Sequence, residues 1–142
     1  MRLRTALLIA AASGFVMSLP FTDVACWPVW FGLAPVLYVA AGAPSKRRAA
    51  LAGLVFALVW TLTAYRFFAH WAPGGWVAGS LYTSAWYVVA LLGVRALARR
   101  GMLSAIFGSA ALWCLVEIAR ARVPILAFPW LLYQAGAFIA IG

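Results

Sequence analysis

The sequence predicts an all-α protein, a polytopic transmembrane helical bundle of about five spans plus a partial sixth apolar segment. Three observations carry that expectation. Hydrophobic residues make up 68% of the 142 and charged residues only 9%, whereas soluble domains carry about 25% charged residues. The apolar residues fall in long unbroken runs, not in the alternating strands of about ten residues that an outer-membrane barrel needs. The basic residues gather between those runs, as at Lys46-Arg47-Arg48 and Arg99-Arg100. There is too little polar surface to solvate a globule, so the working solvent is lipid.

The first apolar run covers 5–19, is preceded by Arg2 and Arg4 and is closed by Pro20. It is short for a span, and its profile also fits a secretory signal peptide. A lipoprotein signal ending at Cys26 is excluded by Asp23, which stands where such a site needs an aliphatic residue. The further spans downstream favour a retained first helix. A second run, 27–43, gives way to a loop at Pro44-Ser45 and a basic cluster. The third, 51–71, is ample for a span and is broken by Ala72-Pro73-Gly74-Gly75. The fourth covers 76–97 and the fifth 102–119. The last stretch, 123–142, holds Pro124 and Pro129 and reads as re-entrant or incomplete.

Orientation follows from counting Lys and Arg by side. With the N-terminus cytoplasmic, one side holds Arg2, Arg4, Lys46, Arg47, Arg48, Arg95, Arg99 and Arg100; the other holds Arg66, Arg120 and Arg122. That is a positive-inside bias. Trp27, Trp30, Trp71, Trp76 and Trp130 then gather near the outer interface, where amphipathic indoles prefer to lie.

Net charge is +9, with Asp23 and Glu117 the only acids. The basic residues flank apolar runs, so their expected partners are anionic lipid headgroups and the insertion machinery, not nucleic acid. Cys26 and Cys114 lie in different segments and His70 is the single histidine. No Cys/His cluster suggests a metal, and no serine has a base beside it, so no cofactor is expected and no catalytic residue is assigned in this chain.

A carboxylate in an apolar helix is costly and rare, which makes Glu117 the first candidate. Arg120 follows about one helical turn on and can share its face. The pair is read either as structural, at the outer membrane boundary, or as a charged group facing a lipid headgroup or a catalytic domain. Phe128-Pro129-Trp130 is either an interfacial turn with an aromatic anchor or a cavity-lining segment beside a lipid site. Arg66 and His70, four residues apart near the outer end of the third run, either snorkel to the interface or meet lipid phosphate. Gly79, Ser80, Thr83 and Ser84, with Gly108 and Ser109, read as small-residue packing surfaces.

Several of these features recur together in one family. Ser18-Leu19-Pro20-Phe21 is followed by Trp27-Pro28-Val29-Trp30 and Leu33-Ala34-Pro35. A basic loop, Ser45-Lys46-Arg47-Arg48, leads into Ala52-Gly53-Leu54-Val55-Phe56. Most specific are Trp113, Glu117 and Arg120 ahead of Phe128-Pro129-Trp130-Leu131. This pattern resembles the N-terminal membrane domain of bacterial apolipoprotein N-acyltransferase. It departs from the family at Leu132-Tyr133-Gln134, where a Gly-Tyr pair is usual.

The resemblance implies an enzyme of the bacterial inner membrane. Such enzymes move an acyl chain from a phospholipid to the N-terminal diacylglyceryl-cysteine of a lipoprotein. It also implies that the chemistry belongs to a nitrilase-like domain with a Cys nucleophile, a Glu base and a Lys. No strand-rich soluble segment fits that domain here. The thiolate of Cys114 is disfavoured in its apolar helix, and Glu117 is not the family's catalytic glutamate. The chain reads as a truncated piece, inactive alone, whose lipoprotein partner is reached through the missing domain. The alternative is a free-standing membrane scaffold or partner subunit for a separately encoded enzyme; a small transporter has less support.

Overall fold

The computed structural model describes residues 1–22 and 29–123. Five α-helices organise them: α1 (Leu3–Ser18), α2 (Val29–Ala41), α3 (Lys46–Ala64), α4 (Pro73–Ala98) and α5 (Ser109–Arg122). No strand occurs among the described residues. Three of these helices, with α5 extended back to Ser104, are long and apolar enough to cross a bilayer; α1 joins them when continued to Phe21, whereas α2 is shorter. The helical bundle expected from the apolar runs is the fold observed.

The helix boundaries follow local chemistry more closely than hydropathy. Ser45 accepts a hydrogen bond from the Arg48 amide at 3.3 Å and caps α3. That helix therefore begins inside the basic cluster, at Lys46, rather than at 51. It ends at Ala64, not at 71, because Tyr65 leaves helical dihedrals and turns its side chain into the bundle. A 3-10 helix, Arg66–His70, takes the chain onward. Pro73 does not break α4 but opens it, since the first helical turn needs no amide donor there. Gly101, at φ +123°, makes the tight turn beyond α4. A π-helical turn, Ser104–Gly108, then leads into α5.

The bundle is assembled around α3, which packs against both α1 and α4, while α2 leans on α1 and α4. Small side chains let the backbones approach, as expected where lipid leaves no hydrophobic drive between helices. Ala6, Ala10 and Gly14 of α1 meet Ala52, Phe56 and Ala57 of α3. Other large apolar side chains point outward: Leu8 is 70% exposed, Phe31 69% and Leu115 62%. That distribution suits a lipid-facing exterior.

Polar groups in the interior serve the helix contacts. Ser13 of α1 donates to the Gly32 carbonyl of α2. Thr61 donates back to Ala57 at 2.7 Å and lies beside Ser80 and Ser84 of α4. The serines and Thr83, read as a packing surface, are buried there, whereas Gly79 faces a cavity. At the basic end, the buried Arg95 of α4 donates from Nε to the Ala43 carbonyl at 3.0 Å and from Nη2 to the Pro44 carbonyl at 3.1 Å. It thereby satisfies backbone acceptors left over where α2 ends.

Candidate functional site

Every third or fourth position of α4 from Ser80 onward is buried: Ser80, Ser84, Tyr87, Leu91 and Val94. This face meets α3 and α5. On α5 the matching positions are Trp113, Glu117 and Arg120, spaced four and three apart and so on one helical stripe. Where the two stripes meet, three polar side chains converge. The Tyr87 hydroxyl donates to Glu117 Oε1 at 2.7 Å. Arg120 Nη2 donates to Glu117 Oε2 at 2.7 Å.

Aromatic rings enclose the network. Tyr87 packs against Trp60 of α3, at 4.8 Å between ring centroids, and against Trp113 of α5, at 5.2 Å and nearly parallel, while the two indoles also meet each other at 6.4 Å. Phe56 meets Tyr87 edge-on at 6.3 Å. Arg120 is only 1% exposed and the Glu117 side chain 12%. Such surroundings strengthen each charge-assisted hydrogen bond and raise the cost of losing one.

Tyr87 stands near the middle of the 26-residue α4, about 21 Å from Pro73 at 1.5 Å per residue. Because α5 starts from the π-helical turn and ends at Arg122, Glu117 comes level with the centre of α4. Intramembrane charge of this kind is retained when it is paired and faces the bundle interior, and both conditions hold here.

Beyond the network, one helical turn along α4 from Tyr87, Thr83 lines a cavity of 230 Å³. Its wall includes Tyr65, Phe68, Trp76 and the bare backbone of Gly75 and Gly79. The Trp76 indole donates to the Leu62 carbonyl at 3.0 Å and fixes that wall. Arg66 and His70 belong to the same bounding segment and are exposed. Expected as helical neighbours four apart, they instead sit on a 3-10 helix. With three residues per turn, they point about 120° apart and share no face.

Of the residues singled out from sequence, Glu117 and Arg120 are brought together, while Arg66 and His70 stay apart from them at the surface. Phe128, Pro129 and Trp130 lie outside the described residues, as do Asp23 and Cys26. Tyr87 went unrecognised, although it continues the Ser80–Ser84 stripe by one more turn. An aromatic residue in an apolar helix resembles a lipid-facing one until its partner is known.

The chemistry of the arrangement is limited. Each Glu117 oxygen already accepts a hydrogen bond, one from Tyr87 and one from a permanently charged guanidinium. A carboxylate so held is a poor general base. Cys114 faces away from it and is exposed. Among the described residues no group of His, Cys, Asp or Glu could hold a metal. What the network does is tie α4 to α5 through Glu117.

A bundle of long apolar helices, closed by small-residue contacts and a buried ion pair, defines a polytopic helical membrane protein. The chain belongs to the family described as apolipoprotein N-acyltransferase N-terminal domain, whose model matches residues 13–136. No curated protein and no solved structure matches the chain.

Proposed function

We propose that this chain is the N-terminal membrane portion of an apolipoprotein N-acyltransferase, set in the bacterial inner membrane with its N-terminus cytoplasmic. The observation that carries the reading is the family match over residues 13–136. The positive-inside count supports the orientation. In this reading the bundle anchors a nitrilase-like domain and admits phospholipid chains from the bilayer. The acyl group passes to the α-amino group of a lipoprotein's diacylglyceryl-cysteine in that domain, through two transfers on a cysteine nucleophile.

The role assigned to Tyr87, Glu117 and Arg120 is positioning. By joining the middle of α4 to the outer part of α5, they hold the cavity beside Thr83 open. Phe128-Pro129-Trp130 is assigned to the lipid interface that follows α5.

Acyl transfer to a synthetic diacylated lipopeptide, with defined phospholipid vesicles as donor, tests the proposal. Residues 1–142 alone are expected to give no product, and the same segment joined to a nitrilase-like domain of its family to give product. Robust transfer by residues 1–142 alone would sink the division of labour. Inactivity of a folded joined protein, with co-purification of a separate enzyme, would favour the scaffold reading instead.

A further inference from the structure

A second concavity lies on the opposite side of Trp113 from the buried network. It is a groove of 550 Å³ between α2 and the π-helical turn leading into α5, a size typical of ligand sites, which run to roughly 300–1,000 Å³. Leu33, Leu37 and Tyr38 form one wall, and Ile106, Ser109 and Trp113 are on the other. The groove is largely apolar, with Tyr38 and Ser109 as its hydroxyl-bearing residues. Ser109 is only 5% exposed, and its Oγ is buried with no hydrogen-bond partner among the described residues.

Ser80 Oγ is likewise buried without a hydrogen-bond partner among the described residues, but of these two hydroxyls only that of Ser109 belongs to a residue lining the groove. Thr61 and Thr63 each donate back to a carbonyl four residues earlier, at 2.7 Å, as helical hydroxyls in apolar surroundings commonly do. Ser109 follows directly on the π-helical turn, where the ordinary ladder is interrupted. A buried donor left unmatched is destabilising unless something supplies an acceptor.

The position of the groove says what can supply it. Its end at Ala41 and Ala105 lies toward the basic end of the bundle, Ala105 following the exposed Arg99 and Arg100 by six and five residues in sequence. Ser109 is eight residues beyond Gly101, or about 12 Å along the helix. Arginine side chains span part of that distance by snorkelling. A hydrocarbon chain alone satisfies the apolar walls but offers Ser109 nothing. A phospholipid offers both the chain and an ester carbonyl, and an anionic headgroup complements Arg99 and Arg100.

We infer that the groove between α2 and α5 is a binding site for an anionic phospholipid of the leaflet at the basic end. One acyl chain lies along Leu37 and Ile106, an ester carbonyl accepts from Ser109 Oγ, and the phosphate meets Arg99 and Arg100. This site is separate from the cavity beside Thr83. It rests on the membrane setting alone and survives any outcome of the acyl-transfer assay.

Cys114 lines the groove and reports on its occupancy. The complete protein, freed of lipid in mild detergent, is titrated with phosphatidylglycerol while Cys114 alkylation by N-ethylmaleimide is followed by peptide mass. Phosphatidylglycerol is expected to slow alkylation severalfold, and phosphatidylcholine much less. Ser109→Ala should raise the phosphatidylglycerol needed by about threefold to tenfold, the range of one hydrogen bond. Ala110→Phe, which fills the groove, should abolish protection; thermal unfolding of both variants verifies that they are folded. Equal protection by both lipids, an unchanged titration for Ser109→Ala, or a Cys114 already shielded without lipid by another part of the chain would each overturn the inference.

Discussion

Replacing Glu117 by alanine is expected to destabilise the bundle by about 3–5 kcal/mol, the usual cost of removing one partner from a buried ion pair. Arg120 is 1% exposed and its Nη2 donates to the carboxylate at 2.7 Å. Without the carboxylate, a permanent charge stays in an apolar interior, and Tyr87 loses its acceptor as well. Glu117→Gln keeps an acceptor for Tyr87 and should cost less. Substituting both charges, as Glu117→Leu with Arg120→Met, should recover much of the loss, because an apolar pair carries no desolvation penalty. Reversible unfolding in detergent measures all three. A loss under about 1 kcal/mol for the alanine variant is what a solvated surface pair would give, and would contradict a buried role.

The second large effect is expected at Gly14. A Cβ added there would run into the Phe56 carbonyl oxygen and come within 3.2 Å of the Trp60 amide nitrogen. Both are backbone atoms of α3 and cannot rotate aside. Gly14→Val should therefore force α1 away from α3 and cost about 1–3 kcal/mol or more, as overpacking does. Gly14→Ala should follow in the same direction. The neighbouring Ser13 bond to Gly32 would weaken with it, so α2 should loosen too. Unfolding midpoints, compared with Gly79→Ala, provide the control: a Cβ at Gly79 meets nothing within 4 Å. Equal midpoints for both variants would mean that the α1–α3 contact is not close.

The two positions differ in how visible they were beforehand. Glu117 announces itself, since one carboxylate in a long apolar run is chemically conspicuous, and the spacing to Arg120 gives the shared face. The bundle was likewise legible from the apolar runs. What sequence could not supply was depth and partnership. Hydropathy does not register that Ser45 starts α3 within a basic cluster, or that Tyr65 ends it early. The early end leaves Arg66 and His70 on a 3-10 helix. Gly14 resembles any glycine of an apolar helix until α3 is placed beside it. Arg95 counts simply as one more basic residue at the basic end of the bundle, yet it is buried and closes the end of α2. Burial is a property of pairs of helices, and a single chain read in order carries little of it.

The central claim is that a buried Tyr87–Glu117–Arg120 network, not apolar contact alone, joins α4 to α5. A double-mutant cycle tests it most directly, with Tyr87→Phe, Glu117→Ala and the two combined, measured by unfolding in one detergent. Tyr87→Phe keeps the ring packed against Trp60 and Trp113 and removes only the donor. The account predicts a coupling energy of about 0.5–3 kcal/mol between the two sites, as for contacting residues in one network. Strict additivity of the two substitutions would contradict it.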